Sequence, residues 1–99
     1  MHTGLLAEEK LQKADKELNA TYQRILKSLP ADEEDEYPKR ALIAAQRLWV
    51  KYRDAECTSV SESRGGVRMW KSANTRVCEV KMTEKRTKEL VERFKDSGR

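Results

Sequence analysis

The sequence predicts an all-α fold: a three-helix antiparallel bundle or hairpin built from long helices. Three observations predict it. Apolar residues recur in steps of three and four through three segments of the chain. The chain breakers are few and cluster in two gaps, Pro30 to Pro38 and Gly65-Gly66. No stretch alternates with period two for long enough to make a strand.

In the first segment Leu11, Ala14, Leu18, Tyr22, Ile25 and Leu29 draw one apolar stripe. The second carries Leu42, Ala45, Trp49 and Tyr52, with Ala41, Leu48 and Ala55 widening the face, and Trp49, Tyr52 and Leu18 are expected in the core. Five acids, Asp32, Glu33, Glu34, Asp35 and Glu36, stand at its entrance, where the helix dipole favours negative charge. Pro38 suits the first turn, which needs no hydrogen-bonded N–H. The third stripe runs through Trp70, Ala73, Val77, Val80, Thr87, Val91 and Phe94, with Glu84 where an apolar residue is due. This helix is expected from about residue 69 to 95. Ser72, Asn74 and Thr75 compete for backbone hydrogen bonds, so a start near residue 75 is the alternative. Glu84 with Lys88 and Glu89 with Arg93 have the favourable order for pairs one turn apart.

Ninety-nine residues fit one domain, 1–99. Leu, Ile, Val and Phe together number only 18, so the core is thin, yet the net charge of +4 is too small to force disorder. The high charge content is chiefly that of solvated helix faces. No apolar run is long enough for a membrane span. No basic-then-apolar leader opens the chain; a signal peptide is expected to have been removed, with Met1 to Gly4 grafted onto a mature protein.

Cys57 and Cys78 are the two cysteines. Their midpoint lies between residues 67 and 68, close to the glycine pair, as a bridge between two antiparallel helices requires. Such a bridge would close a loop of about 20 residues, contribute about 3 kcal/mol and imply an oxidising compartment. Two buried free thiols are the alternative.

Catalytic machinery is sparse. His2 is the one histidine and lies in a terminus expected to fray, so the usual general base and the commonest metal ligand are missing. Ser59, Ser61 and Ser63 have no base to activate them, and Gly65-Gly66 does not make a phosphate loop. Neither cofactor nor metal is expected, and the chain reads as a non-enzyme. Two charged surfaces stand out instead. Residues 32–36 are a helix-entry cluster or a docking patch for a basic partner. Around the glycine pair, Arg64, Arg68, Lys71 and Arg76 gather with Trp70, and no acid occurs from 63 to 78. Arginines with an aromatic can bind phosphate or stack on a base. A nucleic-acid-binding helical module is therefore the least favoured of three readings, because a disulfide compartment argues against it, and no nucleic-acid partner is expected.

The string AQRLWVKYRDAEC at 45–57, preceded by LNATYQRILKSLP at 18–30 and followed by Gly65-Gly66, Cys78 and MTEKRTKEL at 82–90, resembles the LprI-like family of secreted bacterial lysozyme inhibitor domains. The resemblance covers about residues 14–92. Many such domains carry a further N-terminal cysteine pair, which this chain does not have. The resemblance implies a small helical domain of the periplasm or exterior, with Cys57 bridged to Cys78. It also implies a protein partner: a lysozyme or another peptidoglycan-cleaving enzyme, inhibited by steric occlusion. An immunity or adaptor protein neutralising a periplasmic toxin is the second reading. The candidate binding residues are Arg64, Gly65, Gly66, Arg68, Trp70 and the acids 32–36. Asn19, Tyr22, Gln46, Arg53, Thr83, Arg86 and Thr87 are expected in a structural polar network, with Arg53 meeting Gln46, Asn19 or a carboxylate. The oligomeric state is left between a monomer and a helix-exchanged dimer.

Overall fold

The computed structural model describes residues 2–95, and side chains from residue 6 onward, so Met1 and the His2 side chain lie outside the described residues. Three helices follow in order, α1 (His2–Ser28), α2 (Pro38–Arg64) and α3 (Arg68–Phe94). At 1.5 Å per residue each 27-residue helix is about 40 Å long, which accounts for an elongated rod of 50 × 22 × 16 Å. The early start of α3 is realised, at residue 68. Thr75 does compete, donating its hydroxyl to the Lys71 carbonyl at 2.8 Å, but the helix absorbs this bond without a break.

The helices run up, down and up. α3 packs against both others, while α1 and α2 meet each other only marginally. The α1 stripe is buried as expected at Leu11, Ala14, Leu18, Ile25 and Leu29, with Tyr22 half-buried beside it, and Ala7 and Thr21, outside the expected stripe, are buried too. Leu18, Ile25 and Leu29 close a core with Leu42 of α2 and Leu90 of α3, against which Tyr22, Leu26, Trp49 and Phe94 are packed.

The other two stripes are corrected. On α2, Leu48 and Tyr52 are 66% and 56% exposed, and Ala41, Ala45 and Ala55 are exposed too. α2 offers α3 a narrow face, Leu42, Trp49, Cys57 and Ser61, and α1 does not cover its flank. On α3, Trp70, Val77 and Val91 are exposed, and the buried face is Glu79, Val80, Thr83, Arg86 and Leu90. The face is displaced by about one residue from the apolar stripe because three of its five members are polar. A search for apolar periodicity passes over them.

The gaps are made by specific contacts. Asp32 bridges backwards across the α1–α2 loop, accepting from the backbone N–H of Lys39 at 2.8 Å and of Arg40 at 3.2 Å. It thereby satisfies two donors in the first turn of α2, where Pro38 needs none and Tyr37 provides no side-chain cap. The turn into α3 requires positive φ at two successive residues, Gly65 (70°) and Gly66 (99°), which only glycine adopts without strain. Cys57 and Cys78 form a disulfide that joins α2 to α3. Neither Glu84 with Lys88 nor Glu89 with Arg93 closes to ion-pairing distance; the ion pairs among the described residues lie elsewhere.

Candidate functional site

Two clusters carry the polar side chains singled out from the sequence. The first lies at mid-rod around Trp49. Arg53 of α2, with its side chain 12% exposed, donates to Asp15 of α1 at 3.0 Å, to Thr83 of α3 at 3.2 Å and to its neighbour Asp54 at 3.0 Å. One guanidinium thus ties all three helices, and its charge is met by two carboxylates. Arg86 of α3 approaches the same indole. The guanidinium carbons of Arg53 and Arg86 stand 5.5 and 5.9 Å from the Trp49 ring centroid, within cation–π reach.

The contacts of these side chains differ from the expected ones. Gln46 serves Arg86, accepting from its Nε at 3.0 Å, and not Arg53. The carboxylate partners of Arg53, Asp15 and Asp54, were not named from the sequence. Asn19 is exposed and takes no part, Tyr22 packs in the core, and Thr87 bonds the Thr83 carbonyl of its own helix. Arg86 is 7% exposed and forms no ion pair among the described residues; desolvation, only partly offset by the charge of Glu89, lowers its pKa from the ordinary arginine value.

The second cluster is the tip where α2 turns into α3. Here Val67, Met69 and Trp70 are 63%, 71% and 63% exposed, side by side with the glycine turn. Of the four cations gathered there in sequence, two are neutralised. Lys71 bonds Glu62 at 3.0 Å, and Arg76 bonds both Glu8 and Glu79 at 2.7 Å. Hydrogen bonds from Arg76 to Glu79 and Glu8 raise its pKa above the ordinary value. Arg64 and Arg68 stand in no ion pair among the described residues, so they are the available charges of the tip. Val67 and Met69 were missed from sequence. The signal was present: large apolar residues beside a glycine turn with no place in a buried stripe.

The tip is held firmly. The Gly65 N–H donates to the carbonyls of Ser61 and Glu62, both at 3.2 Å, closing α2. The buried Ser61 hydroxyl meets that of Thr75 at 2.7 Å, tying the base of the turn across α2 and α3. Below it, Cys57 is fully buried, and its sulfur lies 3.6 Å from that of Met82. At the opposite end of the rod, Glu33, Glu34, Asp35 and Glu36 are exposed, while Asp32 is occupied in capping α2. The described residues contain no group of three metal-ligating side chains, and no helix among them is long and apolar enough to cross a membrane.

Fold and tip define a small disulfide-stapled helical domain with an exposed turn at one end of the rod. The family follows from comparison: the chain belongs to the lysozyme inhibitor LprI family, whose model matches residues 3–90. That match starts earlier than the motifs alone indicated. An uncharacterized protein of Rhizobium meliloti (strain 1021) is 32% identical over 101 residues, covering 93% of this chain and 71% of that relative. No solved structure matches the chain.

Proposed function

We propose that this chain is a non-enzymatic, protein-binding domain of the periplasm or exterior that inhibits a lysozyme or another peptidoglycan-cleaving enzyme by steric occlusion. The observation that carries the mode of action is the tip. Three large apolar side chains, Val67, Met69 and Trp70, stand exposed beside two arginines that are unpaired among the described residues, at one end of the rod. Interfaces concentrate their affinity in a few such aromatic and arginine anchors. A narrow tip also reaches into a cleft that a flat helix face cannot enter. In an enzyme whose cleft carries catalytic carboxylates, Arg64 and Arg68 would pair with those acids while Trp70 and Met69 cover the floor. Membership of the family supports the choice of partner.

The acidic loop gives the competing mode, in which Glu33 to Glu36 dock on the basic outer surface of the enzyme. Titration of the oxidised protein into a lysozyme-driven cell-wall clearing assay separates the two. Saturable inhibition near one equivalent is expected, and Arg64→Glu with Arg68→Glu should weaken it at least tenfold. Inhibition left intact by that double variant, but lost on neutralising Glu33 to Glu36, would move the site to the acidic end. No inhibition of several lysozyme types would overturn the choice of partner and favour a toxin as the target.

A further inference from the structure

Between α1 and α3, away from the tip and from the Trp49 cluster, lies a groove of about 480 Å³ lined by Lys10, Lys13, Ala14, Glu17, Val77, Val80, Lys81 and Glu84. It exists because the side chains facing each other there are short: Ala14 and Val80 are buried, and the partly uncovered Val77 completes an apolar floor. The parallel course of the two helices sets the charges in order. Glu8 meets Arg76 at one end, so Lys10 falls level with Val77, Lys13 with Val80 and Lys81, and Glu17 with Glu84. The groove is bipolar as a result, with three ammonium groups along one half and two carboxylates across the other. None of these five side chains closes an ion pair among the described residues, although oppositely charged neighbours are available on their own helices.

We infer that this groove binds a short zwitterionic peptide, its terminal carboxylate among Lys10, Lys13 and Lys81 and its ammonium group between Glu17 and Glu84. The dimensions suit a short peptide. Along the helix axes the lysines stand about 5–10 Å from the two glutamates, from Lys81 to Glu84 at the near limit and from Lys10 to Glu17 at the far one, and two to three extended residues span about 7–10 Å. The volume falls within the usual range for small-ligand sites, roughly 300–1,000 Å³. Small side chains suit the apolar floor, so alanine-like residues fit best. This site stands independently of the inhibitory reading, since it uses no residue of the tip.

The test is a nuclear magnetic resonance titration of the oxidised full chain with unblocked trialanine, beside its N-acetylated and C-amidated forms. Saturable shifts of the Ala14, Val77 and Val80 signals are expected with trialanine. Either blocked form should bind at least tenfold more weakly. Lys13→Glu with Lys81→Glu should cost at least tenfold as well, with the helical signal retained because both residues lie on the surface. Three results would overturn the inference: no shifts in the groove, equal binding of all three peptides, or undiminished binding by the lysine variant. Tight binding of the N-acetylated form alone would show a simple anion site and remove the role given to Glu17 and Glu84.

Discussion

Arg53 and Arg86 share one indole but solve the problem of a buried cation in opposite ways. Arg53 collects two carboxylates and a hydroxyl, whereas Arg86 makes do with the neutral Gln46 amide and the face of Trp49. Replacing a buried charge by an apolar side chain of similar size is often neutral or stabilising, while removing only its partner strands the charge. Arg86→Met should therefore leave stability within about 1 kcal/mol of the parent, and Gln46→Leu should cost about 1–3 kcal/mol. Urea unfolding of the two variants and their double mutant checks the order. The reverse order would mean that Arg86 stabilises the fold by its own contacts. Reading Arg53 as a structural residue was possible from its place in the motif, but its partner Asp15 lies 38 residues away and has no sequence signal.

At the scale of elements, most of the α1 face was legible because one apolar stripe packs chiefly on one neighbour, α3; only the buried Ala7 and Thr21 fall outside it. The face of α2 was not legible. Its sequence carries two overlapping apolar faces, and only one of them meets α3; Leu48 and Tyr52 fall on the other. Leu48→Ser and Tyr52→Ser should each change unfolding free energy by no more than about 0.5 kcal/mol, the range of ordinary surface substitutions. Leu90→Ala, on the fully buried face of α3, should cost about 2–5 kcal/mol. Denaturation midpoints of the three variants measure the contrast. A large loss at Tyr52 would show that α2 is covered on its flank in solution.

For the whole molecule, the thin core makes the covalent staple count. The Cys57–Cys78 bridge spans 21 residues of sequence, and in the chain-entropy model a closure of that length contributes about 3 kcal/mol. Cys57→Ser with Cys78→Ser should lower unfolding free energy by about that amount, read by urea titration beside the parent. A domain of this size typically has only about 5–15 kcal/mol in total, so the loss is a large share. The rod also separates its charges. Arg64 and Arg68, unpaired among the described residues, sit at one end and four exposed acids at the other, a helix length of about 40 Å away.

By itself the sequence determined the three helices, the two turns between them and most of the face of α1. These follow from local rules: apolar spacing and proline and glycine punctuation. The cysteine midpoint pointed to the bridge for the same reason, since antiparallel helices place equidistant residues together. Tertiary structure alone decided which face of α2 stays exposed, which carboxylates answer Arg53, and that Arg76 and Lys71 are spent on ion pairs. It also decided that a groove opens between α1 and α3. Each of these depends on where one helix is placed against another, and pairing across 38 or 68 residues leaves no periodic trace in a single chain.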